Sequence, residues 1–152
     1  MILAFEIRCV PPSVTAQQKR QTYRGGKLRF FHGDKMMTTT NTWASLLAPH
    51  VPALPVLGAV ELSIVFTYPH LKGTAKRDLH LTIPKVSKPD AGNAAKHLED
   101  LLSKMRFFED DVKVARLVVD KFHGPEADVG IRITIRPMQS FVYVRPASRA
   151  AE

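Results

Sequence analysis

Apolar and polar positions alternate in three places along the chain, and each alternation predicts a half-buried strand. Leu3, Phe5 and Ile7 alternate with Ala4, Glu6 and Arg8 until Pro11-Pro12 stops the run. Val60, Leu62, Ile64, Phe66 and Tyr68 alternate with Ala59, Glu61, Ser63, Val65 and Thr67, and Pro69 and Gly73 close that stretch. Val129, Ile131, Ile133 and Ile135 give the third. Val112, Val114 and the Leu117-Val118-Val119 cluster predict a strand before it. Two weaker strands are expected, one around Leu79 to Ile83 and one at Phe141 to Val144 ahead of a fraying polar end.

Helical spacing appears twice. From Asn93 to Met105, residues Ala95, Leu98, Leu102 and Met105 fall on one side, with Lys96, Asp100 and Lys104 on another. A shorter helix over Thr39 to Ala48 is built around Trp43, Leu46 and Leu47, with Trp43 read as core. Residues 11–37 read as a loop rich in Lys19, Arg20, Arg24, Lys27, Arg29 and Lys35, with Gly25-Gly26 and Phe30-Phe31. The order is strand, loop, helix, two strands, helix, two strands. That outline is α+β: one domain, a mixed β-sheet and two main helices.

Composition narrows the class. The chain has 152 residues, 45% hydrophobic and 24% charged, which suits one domain with a modest core. Cys9 is the single cysteine, so an intrachain disulfide and a cysteine-based zinc site are excluded, and Cys9 reads as a small buried strand residue. Glu6 and Arg8 come too early for a signal-peptide core, and no apolar run approaches the roughly 20 residues of a membrane span. No membrane association and a cytoplasmic setting are expected. The net charge of +8 is unevenly placed: residues 1–88 hold 12 Lys+Arg against 4 Asp+Glu, while 89–152 hold 10 of each. A basic surface beside an acid-bearing segment suits a protein that draws in phosphates and holds cations next to them.

The acids that matter are in two segments, Lys88-Pro89-Asp90-Ala91-Gly92-Asn93-Ala94-Ala95-Lys96 and Glu109-Asp110-Asp111. If folding joins them, Asp90 and Asp111 offer oxygen ligands to a hard divalent cation. Each has a plainer reading. Asp90 precedes a helix and suits an N-cap, and Asp110 suits the turn entering the next strand. Asn93 suits a side-chain tie at the helix start. Lys96 lies one turn from the carboxylates, where it can meet a phosphate or pair with Asp100 at i,i+4. Lys72, Lys76, Arg77, Lys85 and Lys88 stand with a single acid, Asp78, and are the first choice for phosphate contacts. The six histidines show no metal-binding spacing.

Lys-Pro-Asp-x-Asp-Asn-x-x-Lys, an Asp four residues beyond that Lys, and Asp-Asp near a strand start resembles the pattern of RusA-type Holliday-junction resolvases. Pro89, Asp90, Asn93, Lys96, Asp100, Asp110 and Asp111 match it in order and spacing, and the similar stretch covers roughly residues 85–135. Pro11-Pro12-Ser13 resembles the family's opening. The second acidic position of the pattern is Gly92 here, so the site is one carboxylate short, with Asp110 or Glu109 as substitutes.

The resemblance implies a RusA-like fold and a Mg²⁺- or Mn²⁺-dependent endodeoxyribonuclease, bacterial or phage-encoded. It implies catalytic Asp90, Lys96 and Asp111, metal ligands Asp90, Asp111 and Asp110, a four-way DNA junction as partner, and a homodimer. Residues 1–88 would form the basic DNA-binding portion, 89–136 the metal and catalytic portion, and 137–152 a tail. A junction-binding protein that has lost cleavage through Gly92 is the main alternative. A basic RNA-binding protein fits the charge but leaves Asp90, Lys96 and Asp111 without a role.

Overall fold

The computed structural model describes residues 1–12 and 40–139 in full, and the backbone of 19–24, 27–32 and 34–39. The strands are β1 (Leu3–Ile7), β2 (Lys19–Arg24), β3 (Lys27–His32), β4 (Val60–Pro69), β5 (Ile83–Pro84), β6 (Val114–Gly124) and β7 (Gly130–Pro137). The helices are α1 (Asp34–Leu47) and α2 (Ala91–Lys104). A five-stranded sheet runs in the order β1-β7-β4-β6-β5, and β2 and β3 pair separately. The α+β class read from the pattern is the class observed.

β4 is the middle strand because its alternating residues are the most apolar in the chain. Val60, Leu62, Ile64, Phe66 and Tyr68 are all buried, and β7 sets Ile131, Ile133 and Ile135 beside them at 1% exposure or less. β7 runs antiparallel to both β4 and β1, whereas β6 runs parallel to β4. Neighbouring parallel strands cannot be joined by a tight turn. The connection from Pro69 to Val114 therefore crosses over the sheet, and α2 is its helix. α2 buries Ala94, Ala95, His97, Leu98, Leu101 and Leu102, the 3–4 spacing that lets one side of a helix face a sheet. Trp43 and Leu47 of α1 complete the core with Phe107 and Phe108. Trp43 is 5% exposed and stacks on His97, so it is a core residue as its pattern predicts.

Several boundaries differ from the sequence reading, and Val112, expected in a strand, lies exposed in the helical turn Asp111–Lys113 before β6. Residues 11–37 are not simply a loop: β2 and β3 form an antiparallel hairpin from Lys19↔His32 to Arg24↔Lys27, and α1 already begins at Asp34. Its strands, KRQTYR and KLRFFH, are largely basic and polar, so apolar alternation is missing. The Gly25-Gly26 pair between them was the usable hairpin signal. The strand expected at Leu79 to Ile83 shrinks to Ile83–Pro84, because a short helical turn at Lys76–Asp78 takes up the preceding chain. Cys9 lies half-buried just past β1, and burial raises its thiol pKa. The strand expected at Phe141 to Val144 lies outside the described residues.

α2 ends in a left-handed reversal. Arg106 has φ 67, its N–H donates to Ser103 O at 3.0 Å, and the N–H of Phe107 donates to Leu102 O at 3.0 Å, which together make a Schellman motif. This turn sends Phe107 and Phe108 inward at 0% exposure and leaves Glu109, Asp110 and Asp111 on the surface. A side chain in this region costs about 1 kcal/mol or more relative to glycine. Arg106→Gly is therefore expected to raise unfolding stability by about 1 kcal/mol, read as a higher denaturant midpoint with an unchanged slope.

Candidate functional site

The crossover carries the acids at both ends of α2. At its amino end Asp90 takes the N-cap position with φ −64 and ψ 143, yet its side chain makes no cap to the backbone. Its main-chain oxygen accepts from the Ala94 N–H at 3.0 Å, while its exposed carboxylate accepts from Asn93 Nδ2 at 3.2 Å. The N-cap reading of Asp90 thus holds for backbone position only. The carboxylate remains open to solvent, and Asn93 is the tie that its position suggested.

Gly92 stands two residues on, exposed, with nothing within 4 Å of where a Cβ would lie and no positive φ. A side chain there meets open space.

Past the carboxyl end of α2, the three acids have different duties. Glu109 Oε2 accepts from the Gly58 N–H at 2.9 Å, which ties it to the loop before β4. Asp110 Oδ1 accepts from the Val112 N–H at 3.1 Å and caps the helical turn Asp111–Lys113, the turn role expected of it. Asp111 shares a side-chain hydrogen bond with Asp110.

That shared bond splits the pair. The Val112 N–H and then the bond from Asp111 hold the Asp110 carboxyl below the usual range. The same bond, with some desolvation and the neighbouring charge of Asp110, raises Asp111. Neighbouring carboxyls that interact in this way titrate apart, one below and one above the usual range.

α2 presents Glu99 and Asp100 to this pair, and Lys96 stands beside those two. Lys96 Nζ is 3.9 Å from Asp100 Oδ1, the i,i+4 pair foreseen in the sequence. Glu99 is half-buried. Burial raises its pKa most, Lys96 opposes this, and Asp100 and Asp111 add to it. Asp100 also raises Asp111. These mutual influences gather Lys96, Glu99, Asp100, Asp110 and Asp111 into one electrostatic cluster. Asp90 stands at the other end of the helix, about 15 Å along the axis from Asp100 at 1.5 Å per residue.

Among the described residues, no three histidine, cysteine or acidic side chains converge into a group that could hold a metal ion. The donor chemistry still suits one. Mg²⁺ commonly takes one or two carboxylates and completes its shell with water and substrate phosphate oxygens, and the exposed Asp110–Asp111 pair offers oxygens of that kind.

Lys72, Lys76, Arg77 and Lys88 are exposed along the crossover ahead of α2. Arg77 reaches Asp78 only at 3.8 Å with an 87% exposed side chain. Lys85 is half-buried, 4.9 Å from the centre of the Tyr68 ring, and donates to Ser87 Oγ at 2.6 Å. Burial and then the neighbouring Lys121 lower its pKa. The sequence reading missed Glu99 and Lys121. Glu99 was recoverable from its place three residues after Lys96, whereas Lys121 sits in a strand with no motif around it. His97, beside Lys96 in sequence, turns into the core and meets Thr40 Oγ1 at 2.9 Å.

Residues 10–136 match the model of an endodeoxyribonuclease family, and that span holds the acid cluster, the basic crossover and the five-stranded sheet except for β1 and the end of β7. The family is Endodeoxyribonuclease RusA, and the chain belongs to it. A crossover junction endodeoxyribonuclease rusA of Lactococcus phage r1t is 28% identical over 134 residues, covering 88% of this chain and 98% of the phage protein. No described helix is long and apolar enough to cross a membrane.

Asp110→Asn tests the coupling of the two carboxyls. It removes one negative charge and lets an amide donate to Asp111, so the Asp111 titration midpoint should fall relative to the parent protein. Carboxyl ¹³C NMR across an acid titration measures it, and an unmoved midpoint would show that Asp110 does not raise Asp111.

Proposed function

We propose that the protein resolves four-way DNA junctions by hydrolysing phosphodiester bonds with Mg²⁺ or Mn²⁺, as a homodimer that nicks two opposed strands. The observation that carries this reading is the cluster of Lys96, Asp100, Asp110 and Asp111 on one side of the crossover, in a chain of the RusA family. Asp110 and Asp111 would hold the cation, and Asp90, which the fold leaves at the other end of α2, would join them only if the two ends of the helix come closer on the bound junction. The cation would supply a polarised water and charge neutralisation at the phosphate.

The chain's own groups divide the remaining work. Lys96 has a 63% exposed side chain and only a long contact to Asp100, so its ammonium is free to move to a phosphate and stabilise charge on the departing oxygen. The products are a 5′-phosphate and a 3′-hydroxyl. Lys72, Lys76, Arg77, Lys85 and Lys88 contact backbone phosphates on the approach to the site. The β2–β3 hairpin, whose backbone pairs Arg24 with Lys27 and Thr22 with Arg29, adds basic residues to the same task. The setting is the cytoplasm of a bacterial cell or a phage-infected one.

Gly92 favours a second reading, a protein that binds junctions without cutting them, since the family pattern has an acid there. One comparison separates the two. Asp111→Asn is expected to abolish metal-dependent cleavage while junction binding holds or tightens, because a charge repelling phosphate is gone. Gly92→Asp is expected to raise cleavage and metal affinity, its side chain having open space. Both are measured on one four-way junction across Mg²⁺ and Mn²⁺ titrations. A chain without detectable cleavage until Asp is restored at 92 is the junction-binding protein; full activity in Asp111→Asn removes Asp111 from the site.

Binding itself should weaken steeply with salt. Each phosphate contact contributes a slope of about −0.9 in log affinity against log salt. Neutralising Lys72, Lys76, Arg77 and Lys85 together should flatten the slope by about 3.6 units, and an unchanged slope would place the DNA on another surface.

A further inference from the structure

The segment that delivers Asp90 to α2 runs beside β6, and the backbone ladder between them is short. Ile83 pairs with His123 and Pro84 with Phe122, and the Lys85 N–H donates to Lys121 O at 2.9 Å. From there the Lys121 side chain takes over. Its Nζ donates to Ser87 O at 2.9 Å and to Pro89 O at 2.6 Å, and Pro89 is buried. Ser87 to Pro89 is a bend, and an ammonium with three donors can serve both carbonyls. Among the described residues, no carboxylate forms an ion pair with Lys121. Its charge is spent on two main-chain oxygens next to Asp90.

We infer that Lys121 is a positioning residue for Asp90, fixing the corner from which that carboxylate and the first turn of α2 project. The inference rests on the reading of Asp90 as a site residue. Lys85, bonded to Ser87 Oγ, adds a second side-chain tie at the same corner. Without the Lys121 ammonium, two carbonyls lose their donor, and among the described residues the chain between Lys85 and the first helical turn keeps no hydrogen bond to β6.

The test uses the full chain with Lys121→Met, which keeps an unbranched stem without donors, and Lys121→Arg, which keeps donors and charge. Amide hydrogen exchange at residues 90–94 is expected to speed up about tenfold in Lys121→Met, with β4 and β7 unchanged and Lys121→Arg close to the parent. The single-turnover cleavage rate should fall at least tenfold, measured with Asp at 92 if the parent does not cut, while metal-free junction affinity and its salt slope stay put. Unchanged exchange at 90–94 overturns the inference. So does a salt slope flatter by about 1 with exchange intact, which would make Lys121 a phosphate contact. Asp90→Asn is measured alongside. If it cleaves at the parent rate, the assignment of Asp90 fails, and the exchange data still decide whether Lys121 holds the corner.

Discussion

The parallel pairing of β4 with β6 is the constraint on which the rest depends. It forbids a short turn between the two strands and requires the chain to travel the length of the sheet and return. Every residue proposed here to handle phosphate or cation, apart from the basic hairpin, lies in that crossover or at its junction with β6. The apolar side of α2 fixes the rotation of the helix, because Ala94, Ala95, Leu98, Leu101 and Leu102 have to face the sheet. Burying side chains of the Leu or Ile kind contributes about 1.5–3 kcal/mol each. Against several such contributions, a surface pair such as Lys96–Asp100, worth under about 1 kcal/mol, has no say in how the helix turns. Packing sets the orientation, and the polar cluster inherits it.

Acids gathered on an otherwise basic protein repel one another more than they are neutralised locally. The raised pKa values of Asp111 and Glu99 carry part of that crowding, next to burial in the case of Glu99. A divalent cation would relieve it. The basic excess before residue 89 acts at longer range, drawing in a polyanion without neutralising the carboxylates directly. The two charge populations are kept apart by α2, with exposed lysines leading to its amino end and the paired acids beyond its carboxyl end.

Backbone hydrogen bonding explains how both ends of α2 are held. At the carboxyl end, the Schellman turn and the Glu109 bond to Gly58 secure the path to Asp110 and Asp111. At the amino end, prolines at 84 and 89 cannot donate, so side chains replace the missing ladder. The nearby Tyr68, its pKa pushed up to about 12 by burial, sets its neutral ring beneath Lys85.

Much of this was written in local pattern. Period-two alternation is a property of a strand's own residues, so β1, β4 and β7 were legible, and α2 was legible from its 3–4 spacing. The order of Asp90, Asn93, Lys96, Asp100, Asp110 and Asp111 was enough to suggest the family, because motif spacing survives without knowledge of the fold. Tertiary structure decided what depends on neighbours distant in sequence. The β2–β3 hairpin carries little apolar alternation, since it pairs apart from the main sheet and has no reason to display the sheet's pattern. Glu109 is bound to a loop 51 residues away, and the tie from Lys121 to Pro89 spans 32 residues. A lysine in a strand looks the same in sequence whether it meets water, phosphate or a buried carbonyl. Only the folding of the crossover against β6 determined which partner it found.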